Sequence, residues 1–198
     1  MARQVVLVNG LPGSGKTALA GPLAARLGAP WLSKDAVKEA LADAVGPGAR
    51  SLAGASSVVG ASVVGAAAME AVWRLAAAPL PRVVVESWWF RPRDLDHALR
   101  GLATAGADAV VEVWCDVPPG VARGRYESRP DRHPVHADDR DLTAEWAAWS
   151  AGAAPLALGP VVRQDTTRPV DVGALALRVT TALSGRDRRR TGAAARHA

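Results

Sequence analysis

The residues Gly10-Leu11-Pro12-Gly13-Ser14-Gly15-Lys16-Thr17 carry the most specific chemistry in the chain. Their spacing is the Walker A pattern G-x-x-x-x-G-K-[ST], and the apolar run Val5 to Val8 in front of them supplies the buried strand that this pattern needs. Glycines let the backbone turn sharply, so that successive N–H groups converge on phosphate oxygens, and the helix that follows adds its positive end. Gly10, Pro12, Gly13, Ser14, Gly15, Lys16 and Thr17 are therefore expected to hold a nucleoside triphosphate, ATP. Lys16 is expected to reach the β- and γ-phosphates as a catalytic cation, and Thr17 to offer its hydroxyl to Mg²⁺.

What becomes of the γ-phosphate depends on residues further along. Asp35, in Leu32-Ser33-Lys34-Asp35-Ala36-Val37-Lys38, falls just past a short strand, on the same sheet edge as the loop. A carboxylate there can accept a hydroxyl proton and aim that oxygen at phosphorus, which is the main demand of a loose phosphoryl-transfer transition state. Lys38 lies one turn on and can steady Asp35 or meet an anionic substrate. Glu86 ends its strand where a carboxylate could order Mg²⁺ beside Thr17; Asp116 is the other carboxylate weighed for that task.

Two further groups flank this centre. Ser87-Trp88-Trp89-Phe90 puts three bulky rings at the end of a buried strand, so Trp88 and Trp89 are expected to wall a substrate pocket. Arg123, Arg125, Arg129 and Arg132 form the densest basic cluster of the body, followed by His133-Pro134-Val135-His136. Arg125 and Arg129 on a movable segment would close over the transferring phosphate, neutralise developing charge and exclude water. Arg132 and His133 are expected at the substrate; the spacing of His133 and His136 fits no zinc signature.

Positioning these groups takes alternating short strands and helices. Strands are expected at 4–9, 30–33, 83–86, 110–114 and 161–162, and helices at 15–27, 35–43, 61–78, 92–102, from about 118, at 139–150 and at 170–184. Pro22 predicts a bend in the first helix, Gly28 its stop, and Ser33 the cap of the second. Residues 46–54 and 130–138 read as loops, and Met69, Val72, Trp73 and Leu75 as the buried face of the long helix. The alternation implies an α/β fold with a mostly parallel five-stranded sheet covered on both faces. One domain spans 1–184, and 185–198 form a basic, disordered tail.

With 198 residues there is room for one substantial core. No stretch reads as a membrane span and no secretory signal opens the chain, so a cytoplasmic protein is expected. The single cysteine, Cys115, excludes an internal disulfide or a thiolate zinc cluster and is expected to be buried filler. The net charge of +5 arises largely in residues 185–198, which hold five Arg and one Asp, so the body is close to neutral.

Taken together, Gly10 to Thr17, Ser33 to Lys38, Val83-Val84-Val85-Glu86 and Val121 to Arg129 resemble the AAA-domain P-loop kinases that include chloramphenicol phosphotransferase, polynucleotide 5′-hydroxyl kinase domains and zeta toxins. The resemblance covers most of residues 3–184. It implies a P-loop NTPase three-layer sandwich with an arginine-bearing lid, with Asp35 corresponding to the hydroxyl-activating aspartate and an arginine near 125–129 to the lid arginine. It further implies that Lys38 stands where polynucleotide kinases bind the substrate's own phosphate, and that Thr167 and Pro169, in Asp165 to Pro169, border the adenine. Glu86 departs from the family's usual Asp. The expected function is an ATP-dependent, Mg²⁺-requiring kinase acting on a hydroxyl of a small organic molecule. The near-neutral body makes a nucleic-acid acceptor, and hence a polynucleotide or nucleotide 5′-hydroxyl kinase, the less favoured alternative. A nucleotide-hydrolysing switch module is the reading from a different class.

Overall fold

The computed structural model describes residues 3–46, 57–130, 132–136 and 141–194; for 57–62 and 185–194 the description is of the backbone alone. Five strands, β1 (Gln4–Asn9), β2 (Trp31–Ser33), β3 (Arg82–Glu86), β4 (Ala109–Asp116) and β5 (Val161–Asp165), form one sheet in the order β2-β3-β1-β4-β5. Every adjacent pair is parallel. The helices are α1 (Lys16–Leu27), α2 (Lys34–Val45), α3 (Ser57–Ala76), α4 (Arg91–Thr104), α5 (Pro119–Glu127), α6 (Thr143–Gly152) and α7 (Val172–Ala194), with a 3₁₀ turn at Pro134–His136.

Both sheet faces are covered, so the strands are apolar throughout and consecutive residues enter different cores. Val6, Val8, Val111 and Val113 pack with Leu19 and Leu23 of α1 and Leu175, Val179 and Leu183 of α7. Val5, Leu7, Val83 and Val85 pack with Met69, Val72 and Trp73 of α3 and Ala98 and Leu102 of α4. The three-layer sandwich expected from the alternation of elements is thus the observed architecture. Leu75 is the exception on α3: it is exposed, while Ala76 beside it is buried.

Local signals mark most element ends. Gly28 stops α1 in the left-handed conformation, φ 61°, with its N–H returned to the carbonyls of Ala24 and Ala25. The Ser33 hydroxyl caps α2 by accepting the Ala36 N–H at 3.4 Å. Helix α1 continues through Pro22, which has no N–H to give the Ala18 carbonyl. α3 begins at Ser57, before the expected 61, because its Ser-Val-Val-Gly-Ala repeat holds nothing that stops a helix. α7 likewise continues to Ala194, past the boundary set at 184, since Gly185 alone costs only about 1 kcal/mol against helix. Residues 47–54 of the expected loop, Asp131, 137–140 and the tail end 195–198 lie outside the described residues.

Candidate active site

The loop between β1 and α1 has the backbone that its sequence requires. Gly10, Gly13 and Gly15 take φ of 151°, 76° and 86°, and Gly15 is the left-handed residue from which α1 starts. Space matters as much as dihedral at Gly13, where a Cβ would lie 2.1 Å from the Ala122 carbonyl oxygen. The phosphate loop is therefore pressed against α5, the helix that leads into the arginine segment. Lys16 is buried, and its Nζ donates to the carbonyls of Gly10 and Leu11, both at 2.9 Å. Burial lowers its pKa against the pull of Glu86, which works in the opposite direction. The Ser14 hydroxyl is buried in the loop without a hydrogen-bond partner among the described residues.

Thr17 and Glu86 meet as expected of a metal-binding pair. The Thr17 hydroxyl donates to Glu86 Oε1 at 2.9 Å, across the gap between α1 and the end of β3. Glu86 Oε2 is buried and unpartnered among the described residues. A hydroxyl and a carboxylate oxygen of this kind suit a hard, oxygen-loving divalent cation such as Mg²⁺. Asp116 does not join them; it is exposed and paired with Arg163 at 3.1 Å. No group of three His, Cys, Asp or Glu among the described residues could hold a metal by itself.

On the β2 flank, Asp35 occupies the first turn of α2, its side chain 51% exposed and 3.4 Å from Lys34 Nζ. Partial burial works against its charge, yet Lys34, His136 and Lys16 together hold the carboxyl below the usual aspartate range. Lys16 of the phosphate loop is thus among the cations that act on the Asp35 carboxyl. Asp35, Glu39 and Asp43 form a stripe along α2 at helical spacing, and the Pro134–His136 turn docks on it. His136 Nε2 lies 3.0 Å from Glu39, and His133 Nε2 lies 3.0 Å from Asp43. His133 Nδ1 accepts the Val135 N–H, so its proton resides on Nε2 and is donated to Asp43. Lys38 is buried and donates to the Val135 carbonyl at 3.2 Å, so it anchors this turn.

Arg125 and Arg132 are engaged with main-chain carbonyls, and one of the two tryptophans departs from expectation. Arg125 is tied to the segment after β5: its two Nη atoms donate to the carbonyls of Thr166 and Thr167 at 3.0 and 3.1 Å. Thr167 itself turns back on Asp165, and Pro169 is exposed beside it. Arg132 stacks on the Tyr126 ring at 3.9 Å and donates to the Tyr126 carbonyl, which closes the end of α5. Arg129 is exposed just beyond α5. Trp89 is no pocket wall; it is 2% exposed and stacks on Trp73 in the core under β3, centroids 6.2 Å apart. Alternation along the extended chain sends Trp88 the other way, against Phe90 and Trp114. A cavity of about 180 Å³ opens beside Trp114, Leu11 and Ala153, on the β4 side of the loop and away from Asp35.

With this geometry in place, comparison with protein families matches residues 5–152 to an AAA domain. The chain belongs to the AAA-domain P-loop kinases. No curated protein matches the sequence. Among solved structures, a candidate kinase from Chloroflexus aurantiacus J-10-fl is 31% identical, with a TM-score of 0.76 over 92% of this chain and 100% of that one. The APS kinase of Mycobacterium tuberculosis, solved with AMPPNP and APS, is 21% identical, with a TM-score of 0.54 over 92% of this chain and 98% of that one. Shikimate kinase from Acinetobacter baumannii, solved with shikimate, is 16% identical, with a TM-score of 0.52 over 94% and 95%. The latter two likenesses are of fold.

Two residues of this AAA-domain kinase chain escaped the sequence reading. Asn9 and Glu112 are fully buried, and Asn9 Nδ2 donates to Glu112 Oε1 at 2.9 Å. The signal was visible: a carboxylate inside the apolar run Val110-Val111-Glu112-Val113 has to be satisfied by donors from elsewhere in the fold. Among the described residues of this AAA-domain kinase, no helix is long and apolar enough to cross a membrane.

Proposed function

We propose that the chain is an ATP-dependent kinase that moves the γ-phosphate onto a hydroxyl of a small organic molecule. The observation that carries the reading is the placement of Asp35 on the first turn of α2, within electrostatic reach of Lys16 at the head of α1. In that arrangement the loop amides and Lys16 hold the triphosphate, and Asp35 orients the acceptor hydroxyl and takes its proton. A bound Mg²⁺ would neutralise phosphate charge, and Thr17 and Glu86 are the residues to hold it. Arg129 is the guanidinium left to meet the transferring group, because Arg125 is engaged with the segment expected to border the adenine.

On this reading the acceptor hydroxyl meets the exposed side of the Asp35 carboxyl, beside Lys34. The nearly neutral body outside the basic end supports a small acceptor over a nucleic acid. The test is a panel of small hydroxyl compounds and 5′-hydroxyl oligonucleotides incubated with γ-labelled ATP and Mg²⁺. Label on a small hydroxyl compound is the expected result. Label on oligonucleotides alone would reassign the acceptor, and release of inorganic phosphate alone would make the chain a hydrolysing switch.

A further inference from the structure

We propose that Glu112 is a positioning residue for the phosphate loop, acting through Asn9; this rests on the nucleotide reading of that loop. Glu112 sits mid-way along β4, 0% exposed, and meets three N–H donors. Its Oε1 accepts from Asn9 Nδ2 at 2.9 Å and from the Leu156 backbone at 3.0 Å, and its Oε2 accepts from the Ala157 backbone at 2.9 Å. A buried carboxyl is tolerated where donors saturate it in this way, and the arrangement orders every donor it touches.

The consequence for Asn9 is directional. An amide side chain has a donor end and an acceptor end, and Glu112 offers only acceptors, so Nδ2 must face it. The second Nδ2 hydrogen goes to the Trp89 carbonyl at 3.2 Å. Oδ1 is thereby turned to accept from Gly10 N–H at 2.7 Å and Trp89 N–H at 3.0 Å. Gly10 is the first residue of the loop, and its φ of 151° leaves no room for a side chain: a Cβ would sit 2.6 Å from Ser14 Oγ and 2.9 Å from the Cys115 carbonyl oxygen. The angle at which the chain enters the loop is thus fixed by one amide whose orientation is imposed from β4.

The same carboxyl holds a second segment. Ala157 is the one non-glycine residue with positive φ among the described residues, at 56°, and its N–H is the bond to Oε2. That segment follows α6, which packs on α5 through Trp146 and Tyr126 at 5.6 Å. Glu112 therefore joins the entry to the phosphate loop with the chain that follows the helix packed on α5.

The test compares Glu112→Gln with Val110→Ala in the full chain. Val110 lies on the same strand and face and is buried, but touches neither Asn9 nor the loop's hydrogen bonds. Glutamine has one acceptor oxygen where the carboxylate has two, so its NH2 must oppose either the Ala157 N–H or the Asn9 and Leu156 donors, and the hold on the Asn9 amide is loosened; ATP affinity by calorimetry is expected to fall about tenfold or more. Val110→Ala is expected to stay within twofold while lowering the melting temperature comparably. Equal ATP affinity in the two variants overturns the proposal and leaves Glu112 a core residue only. If Glu112→Gln does not fold, amide exchange of the parent decides: ATP slowing Leu156 and Ala157 more than Val110 supports the proposal, and equal slowing overturns it. A parent that binds no ATP overturns the nucleotide reading instead. In that event Gly10 exchange is the readout, faster in Glu112→Gln than in Val110→Ala if Glu112 positions the loop, and equal if it does not.

Discussion

Asp35 is the residue on which the proposed chemistry turns, and its surroundings make a specific prediction. Replacing it with Asn keeps the shape and removes the proton acceptor, so ATP affinity should be retained while phosphoryl transfer falls about 10²-fold. Steady-state rates alongside calorimetric ATP binding check this; unchanged transfer would remove Asp35 from the mechanism. Because Lys34, His136 and Lys16 hold its carboxyl below the usual aspartate range, Asp35 stays ionised through mild acid and should add no acid limb to the rate profile near pH 5. His136 behaves differently: burial and Lys38 lower its pKa, outweighing Asp35 and Glu39. The unfolded chain, with an ordinary histidine value of about 6.5, then binds a proton that the folded chain refuses. Folded stability is complete above that value and is lost as pH falls from it through the lower folded value. His136→Gln should flatten this part of the melting-temperature profile between pH 7 and pH 5, and an unchanged slope would show that another group sets it.

At the scale of elements, the phosphate loop and α5 are in direct backbone contact. Gly13→Ala would force a methyl against the Ala122 carbonyl in a conformation, φ 76°, that alanine resists. Neither obstacle can move without displacing α5, so calorimetry should show ATP binding lost by a factor of at least about 100, of the order expected when strain and overpacking of a few kcal/mol fall on one loop. Arg125→Ala should loosen the Thr166-Thr167 segment and weaken ATP binding about fivefold to tenfold, in keeping with two hydrogen bonds that net about 0.5–1.5 kcal/mol each and are partly exposed. A larger loss in turnover than in affinity would return Arg125 to the transferring phosphate. The elements themselves were legible in the chain because each carries a local cause: apolar runs for strands, Ser33 and Gly28 for helix ends, a fixed motif for the loop. Side-chain destinations were less so. Which of Trp88 and Trp89 enters the core depends on the pleat after β3, and what Arg125 grips depends on how β4 and β5 bring Thr166 alongside. Asn9 and Glu112 come together only because β1 and β4 are neighbours in register.

For the whole molecule, the charge is concentrated at the basic end. Among the described side chains the last buried one of α7 is Leu183, and residues 185–198 carry five of the arginines. Removing them should leave the melting temperature and small-molecule turnover essentially unchanged, as thermal denaturation and rate assays would show. Loss of oligonucleotide phosphorylation alone would instead point to a nucleic-acid acceptor.

Six of the seven tryptophans stand in three pairs, Trp73 with Trp89, Trp88 with Trp114, and Trp146 with Trp149, their centroids 6.2, 6.5 and 5.5 Å apart. Indoles so close and held at fixed tilts share their excitation, so the ultraviolet circular dichroism of this chain will carry exciton couplets absent from a protein with scattered rings. The Trp146–Trp149 pair borders Tyr126 of α5, which makes its couplet a label-free gauge of any displacement of α5, while Trp31, 40% exposed, remains open to a dissolved quencher such as acrylamide.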